Sequence, residues 1–132
     1  MPNIIAKLDD VSLSYGERIV LENCSLDIVE GAITCIIGLS GAGKSTILRL
    51  LDGLRKPNSG HVYVRGQDIC HMRESELIEM RTKIGFAFQF AALFDSMTVG
   101  DNIALPLREH TSLTEQEIRE IVVHTLDSVG LE

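Results

Sequence analysis

A stretch of nine residues combines glycines, a lysine and three hydroxyl side chains, running Gly38-Leu-Ser-Gly-Ala-Gly-Lys-Ser-Thr46. It matches the pattern G-x-x-x-x-G-K-[ST], whose fixed positions are filled by Gly38, Gly43, Lys44 and Ser45. A glycine-rich loop of this kind can curl around an anion and aim successive backbone N–H groups at it. The spacing therefore predicts a loop that binds the phosphates of a nucleoside triphosphate.

The chemistry of each residue type supports this interpretation. Lys44 brings a mobile positive charge for the β- and γ-phosphates. The Ser45 hydroxyl suits Mg²⁺, which takes oxygen ligands and shares the phosphates with the protein. The hydroxyl and amide of Thr46 can reach the α-phosphate. The backbone can approach a ligand closely where side chains are small, as they are at Ser40, Gly41 and Ala42.

A predicted strand and a predicted helix must position this loop. The segment Ala32–Ile37 is apolar and rich in β-branched residues, which predicts a buried strand leading into the loop. Apolar residues from Ile47 to Leu54 have helical spacing, which predicts a helix that begins near Lys44 and packs on a sheet. Its free amides and dipole would add to the attraction for phosphate. A glycine-rich turn with an unrelated lysine is the alternative interpretation.

Composition limits the remaining classes of function. The chain has 132 residues, is 45% hydrophobic and 23% charged, and therefore fits one modest folded domain. Its net charge of −7 argues against a nucleic-acid partner, which would require a basic surface. No apolar run reaches the length of a membrane span and the first residues show no signal-peptide pattern, so a cytoplasmic location is expected.

Spacing along the chain reveals no metal or redox site. The cysteines are odd in number and stand at no ligand spacing: Cys24, Cys35 and Cys70. The histidines are equally scattered: His61, His71, His110 and His124. Ordinary buried or solvated side chains are therefore expected at these positions.

The first part of the chain predicts an antiparallel β-layer. Alternating apolar residues from Ile4 to Ser14 predict a half-exposed strand, and two further short strands are expected over 19–21 and 24–28. A clean alternating strand is predicted over His61–Arg65, after a turn at 56–60. Helical spacing follows over Arg73–Arg81, and a short buried strand is predicted over Ile84–Phe88.

The residues after Gln89 change in character. An apolar segment over 90–97 has no clear period, and both core packing and docking to a partner are compatible with it. A short helix is expected to begin at Thr98 or Asp101 and to be stopped by Pro106, with a polar loop over 108–113. The capping-box pattern Thr114-Glu-Gln-Glu117 then predicts a helix that ends at Gly130.

These features together resemble the ATP-binding subunit of ABC transporters. The resemblance rests on the phosphate loop, on Tyr15 at the end of the first strand, on the turn and hairpin Pro57-Asn-Ser-Gly-His-Val-Tyr-Val-Arg-Gly66, and on Phe88-Gln89. It implies that Tyr15 stacks on adenine. It also implies that Gln89 contacts Mg²⁺ and the attacking water. ATP and Mg²⁺ are the implied cofactors, with Ser45 and Gln89 as the implied metal contacts.

The segment from Gln89 to Thr111 is most similar to the Mla-type ATPases, which serve phospholipid transport and are also described in toluene tolerance. This similarity implies that Gln89–Pro106 faces a membrane permease and that a second ATP-binding subunit completes a homodimer. It also implies a peripheral position on the cytoplasmic face of the inner membrane.

Three further motifs of the family are missing from residues 1–132: the L-S-G-G signature, the Walker B strand that ends in Asp-Glu, and the switch histidine. Ile121–Asp127 is no substitute for Walker B because its spacing is helical. The expected fold is the N-terminal half of an α/β P-loop NTPase of the ABC type. Residues 1–89 form the β-layer and phosphate-loop core, and 90–132 the start of the helical subdomain.

We therefore expect ATP binding without hydrolysis by this stretch alone. Two alternatives remain open at this point. One is a truncated, non-catalytic product that only binds nucleotide or a partner. The other is a different phosphate-loop enzyme, such as a small-molecule kinase or a GTPase, although no Asn/Thr-Lys-x-Asp guanine-recognition element occurs.

Overall fold

The computed structural model describes residues 1–90 and 92–131, so Ala91 of the apolar segment and Glu132 lie outside the described residues. The chain divides into two compact units, Met1–Ile84 and Gly85–Glu132, which are described separately below.

The first unit is built on a four-stranded antiparallel sheet, which confirms the predicted β-layer. Strand β1 spans Ile4–Tyr15 and pairs with β2, Arg18–Val29, across a two-residue turn. On its other side β1 pairs with β3, Ser59–Val64, which pairs in turn with the short β4, Gln67–Asp68. The strand order is β2-β1-β3-β4. The two short strands predicted over 19–28 are parts of the single strand β2.

One face of this sheet forms the core with two helices. Helix α1 spans Lys44–Leu51 and α2 spans Glu74–Arg81, close to both predictions. The most deeply buried side chains come from the sheet and from α1, and they include Leu8, Val11, Val62 and Leu50, each at most 1% exposed. Burying one such side chain stabilises the fold by about 1.5–3 kcal/mol, so this cluster holds α1 on the sheet.

Arg81 joins the end of α1 to α2. Its Nε donates to the Asp52 carbonyl at 3.0 Å and its Nη2 donates to the Gly53 carbonyl at 2.9 Å. Its Nη1 forms an ion pair with Glu74 at 2.7 Å. The carbonyls at a helix C-terminus have no partner within the helix, and this arginine satisfies those that follow α1.

The second unit is a helical hairpin. Helix α3 spans Val99–His110 and α4 spans Glu115–Ser128. Ala104, Ile118 and Val122 are buried between the two helices. The predicted capping box is present, because Thr114 accepts from the Glu117 amide while the Glu117 carboxylate accepts from the Thr114 amide.

Pro106 does not stop α3 as predicted, and the expected polar loop over 108–113 begins only at Thr111. A proline inside a helix costs about 3 kcal/mol because it removes one hydrogen bond and crowds the preceding turn. Packing on both sides of Pro106 opposes this cost, because Ala104 is buried and Leu107 packs against the same cluster. The exposed ion pairs of Arg108 add a smaller contribution. Arg108 binds Asp101 at 3.3 Å and Glu115 at 2.9 Å, and the Arg108 guanidinium holds the pKa of the Glu115 carboxyl below its usual value.

Two predicted buried strands are wrong. Ala32–Ile37 forms no strand, and the side chains of Ile33 and Ile37 are 98% and 92% exposed. Ile84–Phe88 also forms no strand, and Phe88 is 51% exposed. A parallel strand becomes buried only between hydrogen-bonded neighbours with both faces covered. In the described ranges neither segment has such a neighbour.

Within the described ranges, no helix has both the length and the apolar character needed to cross a membrane.

Gly60 and Gly66 form a matched pair for testing the close packing of β3 on β1. Both have positive φ, 84° and 76°. A Cβ on Gly60 would lie 2.3 Å from the Asp10 carbonyl oxygen, whereas a Cβ on Gly66 would meet nothing within 4 Å. We expect Gly66→Ala to lower the free energy of unfolding by about 1–2 kcal/mol, the cost of the left-handed conformation. Gly60→Ala adds overpacking and should lower it by about 2–5 kcal/mol.

Urea unfolding of the two variants, compared with the unmodified protein, measures both losses. Equal losses would contradict the close approach of the Asp10 carbonyl to Gly60.

Candidate functional site

The phosphate loop leads directly into α1. Gly43 is the N-cap of α1 and has φ 93°, in the left-handed region where a side chain is strained. A Cβ at this position would also lie 3.0 Å from Val20 Cγ1 and 3.2 Å from the Val20 carbonyl oxygen. No side chain accepts a hydrogen bond from the first amides of α1, and the first turn of α1 has no acidic residue. The amides at this N-terminus are therefore available to an anion.

Lys44 folds back over the loop that precedes it. Its Nζ donates to the carbonyl of Gly38 at 2.8 Å and to that of Leu39 at 2.6 Å. Within the loop, the Ala42 amide donates to the Leu39 carbonyl at 3.1 Å. The ammonium group is thus held beside the small residues of the loop. These two bonds use two of its three N–H groups, and the third is left for another acceptor.

Arg18 brings a second positive charge to the loop, although it lies outside the motif and was not predicted from the sequence. Arg18 stands opposite Tyr15 across the turn between β1 and β2. Its Nη2 donates to the Gly41 carbonyl at 3.3 Å. The turn residues that follow Tyr15 could have predicted the position of Arg18, because a tight turn places Arg18 beside Tyr15 in the neighbouring strand.

These residues surround an open concavity of about 210 Å³. It is lined by Tyr15, Arg18, Val20, Gly41, Gly43, Lys44, Ser45 and Thr46. The lining residues carry two cations and, among themselves, no carboxylate, so the concavity favours an anion. Typical small-molecule sites measure about 300–1,000 Å³, so this one has room for only part of a nucleotide.

The Ser45 side chain is exposed in the first turn of α1, whereas Thr46 is 8% exposed. A hydroxyl at the edge of a phosphate-sized concavity fits the way proteins bind Mg²⁺, through one or two oxygens together with the phosphates. The structure thus brings Tyr15 and the predicted loop residues Gly41 and Gly43–Thr46 to one concavity. The other predicted loop residues are not among those that line it: Gly38, Ser40 and Ala42.

Gln89 is exposed and belongs to the second unit, so the structure assigns it no position relative to the loop.

Tyr15 is the last residue of β1, and its side chain is 42% exposed at the rim of the concavity. The Arg55 guanidinium lies over its ring, with Cζ 4.7 Å from the ring centroid. This cation–π contact stabilises the orientation of the ring. An aromatic ring at the rim of a phosphate site is suited to stacking against a base.

A family model described as ABC transporter matches residues 21–132. The chain belongs to the ABC transporter family. This finding confirms the resemblance that the motifs indicated.

Two groups of curated relatives cover nearly the whole chain. It is 41% identical over 127 residues to the intermembrane phospholipid transport system ATP-binding protein MlaF of Haemophilus influenzae, covering 96% of this chain and 48% of the relative. It is 43% identical over 132 residues to the probable ribonucleotide transport ATP-binding protein mkl of Mycobacterium leprae, covering 99% of this chain and 38% of the relative. The chain thus spans about half or less of the length of these relatives.

Solved structures confirm the fold. The ATP-binding cassette MJ0796, in a dimeric post-hydrolysis state bound to ADP and Pi, matches with a TM-score of 0.86 and 36% identity. The match covers 96% of this chain and 58% of that one. CbiO1 from Clostridium perfringens, part of the ABC transporter complex cbiONQ, matches with a TM-score of 0.83 and 28% identity, covering 98% and 52%. The predicted N-terminal half of an ABC-type P-loop NTPase agrees with both.

Lys44 provides the first test of the site. Removing its contact with a multiply charged phosphate should cost about 2 kcal/mol or more, so Lys44→Ala should bind ATP about 30-fold more weakly. Equilibrium titration with labelled ATP and Mg²⁺ measures this change. Lys83→Ala, which removes an exposed lysine from the same unit, is the matched control and should retain its affinity. An unchanged affinity in Lys44→Ala would refute the phosphate assignment.

Tyr15 provides the second test. If its ring stacks on the base, Tyr15→Ala should weaken ATP and GTP alike by about 1 kcal/mol, whereas Tyr15→Phe should be nearly neutral. Arg55→Ala keeps the ring and removes only the cation above it, so it should cost less than Tyr15→Ala. Competition binding with both nucleotides measures the series. A loss of ATP alone would indicate hydrogen-bond recognition of adenine in place of stacking.

Proposed function

We propose that this chain binds ATP as part of the nucleotide-binding component of an ABC transporter that moves a phospholipid or another lipid. The observation that carries the proposal is the positively charged concavity at the N-terminus of α1, with Tyr15 at its rim. The family supports ATP as the ligand, since a related cassette is bound to ADP and Pi. The net charge of −7 makes this local concentration of positive charge more distinctive.

Nucleotide binding would proceed through residues already in place. The phosphates lie against the amides from Gly41 to Thr46, and Lys44 exchanges its two carbonyl partners for phosphate oxygens. Arg18 at the same rim adds a second positive charge. Mg²⁺, when bound, neutralises charge on the phosphates, and Ser45 holds it through its hydroxyl.

Hydrolysis requires more than this cradle. Transfer of a phosphoryl group to water needs a residue that positions the water and carboxylates that hold the metal ion. Gln89 is the proposed contact to the water. The Walker B carboxylates, the signature loop and the switch histidine of the family are not among residues 1–132. We therefore propose that this stretch binds ATP without turning it over, and that a second nucleotide-binding subunit takes part, as the dimeric cassettes suggest.

The lipid substrate is supported by one segment rather than by overall identity. Overall identity is similar to MlaF and to mkl, whose names specify different substrates. The Mla-type features lie in Gln89–Thr111. In part of this segment, hydrogen bonds from one side chain hold the backbone in place. The Asn102 side chain accepts from the Phe94 amide at 2.8 Å and donates to the Phe94 carbonyl at 3.2 Å and the Thr98 carbonyl at 3.0 Å. This one side chain therefore anchors the backbone at Phe94 and Thr98, just before α3.

Apolar side chains at this anchored stretch and beside it are exposed to solvent. Phe90 is 79% exposed, Leu93 65%, Phe94 55% and Val99 62%. Exposed apolar groups that are held in place mark an interaction site. We propose that the segment Gln89–Pro106 contacts the permease, on the cytoplasmic face of the inner membrane, and that Gln89 couples this contact to the nucleotide.

Site-specific crosslinking tests this function. Cys24, Cys35 and Cys70 are replaced by serine, and single cysteines are placed along 92–100 in the full-length protein. Crosslinking in membranes of the source cell should give adducts that mass spectrometry identifies as a multi-span permease, and their yield should change when ATP is added. A cysteine at Glu22, exposed on β2, is the control and should give none. Failure to form any permease adduct along 92–100 would count against the proposed contact.

A further inference from the structure

Three side chains of metal-binding type meet on the β3–β4 hairpin and the turn that follows it. One donor atom each from His61, Asp68 and His71 lies within 4.8 Å of the others. His61 and Asp68 are in direct contact, with 2.7 Å between Nδ1 and Oδ2. The ring centroids of His61 and His71 are 6.2 Å apart. Spacing along the sequence did not reveal this group, because the hairpin brings it together.

The alternation of strand β3 explains why these side chains share a face. Val62 and Val64 are 1% and 7% exposed and point into the core, so His61 and Tyr63 lie on the opposite face. Tyr63 pairs directly with Asp68 on β4, which places Asp68 on that same face and diagonal to His61. The group therefore lies on the side of the sheet away from the first unit's core.

A buried residue fixes the backbone between Asp68 and His71. Ile69 is 3% exposed, and its amide donates to the Val62 carbonyl at 2.9 Å. The Met72 amide donates to the Ile69 carbonyl at 3.4 Å, which closes the turn that contains His71. The three side chains are thus presented by a backbone that core packing holds in position, which reduces the ordering cost of binding.

The Asp68 carboxylate is oriented by a further hydrogen bond. Its Oδ1 accepts from the Cys70 amide at 2.9 Å, and this leaves Oδ2 directed at His61. Hydrogen bonds of this kind commonly orient carboxylate ligands at metal sites. His61 and His71 are exposed, so an ion and its water can reach the group directly.

We propose that His61, Asp68 and His71 bind a late first-row divalent cation of the Zn²⁺ type. Two imidazole nitrogens and a carboxylate oxygen are a donor set that such ions prefer, whereas Mg²⁺ and Ca²⁺ prefer oxygen alone. Zn²⁺ bonds of about 2.0–2.2 Å in tetrahedral geometry place ligand atoms about 3.3–3.5 Å apart. Small side-chain rotations from the observed arrangement reach these distances, and water fills the fourth position.

The binding site is separate from the proposed Mg²⁺ position at Ser45 in both residues and chemistry. Ion binding would tie the hairpin to the turn before α2. Because the ion binds the folded state, it should raise the apparent stability of the protein as its concentration rises above the dissociation constant.

Zinc titration of the full-length protein against a chromophoric chelator, in excess Mg²⁺ to occupy oxygen sites, tests the proposal. One equivalent should bind to the unmodified protein. His71→Ala should weaken binding at least about tenfold, and it leaves the His61–Asp68 contact intact, so the fold need not change. His110→Ala, a substitution of an exposed histidine in the second unit, is the matched control and should bind as the unmodified protein does. His61→Ala and Asp68→Asn should lose affinity as His71→Ala does.

Two further measurements distinguish zinc binding by His61, Asp68 and His71 from zinc binding elsewhere in the protein. Zn²⁺ should raise the melting temperature of the unmodified protein but not that of His71→Ala. Co²⁺ should give visible absorption bands without the sulfur charge-transfer band of a thiolate ligand. The proposal is overturned if His71→Ala binds as tightly as His110→Ala. It is also overturned if Cys70→Ser, rather than the histidine variants, abolishes binding.

Discussion

The close approach of Gly43 to β2 is the constraint on which the site depends. With φ 93° and Val20 only 3.0 Å from where a Cβ would be, this position accepts no side chain. The approach places the first turn of α1 directly beside the end of the β1–β2 hairpin. Tyr15 and Arg18 belong to that hairpin, and Lys44 and Ser45 belong to that turn. The ring proposed to stack on the base and the groups proposed to bind phosphate are therefore positioned by one contact, that of Gly43 with Val20.

Sequence predicted best where local chemistry determines local structure. The phosphate loop, the start of α1 and the capping box at Thr114 each depend on residues a few positions apart, and each lies where the spacing placed it. The alternation of β1 and β3 was equally informative, because one face of each strand is buried in a single core. Such patterns contain most of the information that fixes the antiparallel layer.

Sequence failed where the outcome depends on distant partners. The apolar character of Ala32–Ile37 predicted burial, but a strand requires neighbours, and the described residues supply none there. Pro106 predicted a helix end, but α3 continues past it because Ala104 and Leu107, on either side of the proline, pack in the cluster with α4. Arg18 and the group around Asp68 were missed for the same reason, since strand pairing and not sequence spacing makes them neighbours.

The two carbonyl bonds of Lys44 have a consequence for how the proposed site would exchange its ligand. To bind a phosphate there, the ammonium group must release carbonyl acceptors at 2.8 and 2.6 Å, and the loss of these two bonds offsets part of the gain. The carbonyls of Gly38 and Leu39 would also compete with a bound phosphate for the lysine, which would help the ligand to leave. A loop arranged in this way favours moderate affinity and a short residence time for the proposed anion, so that bound nucleotide would exchange readily with nucleotide in solution.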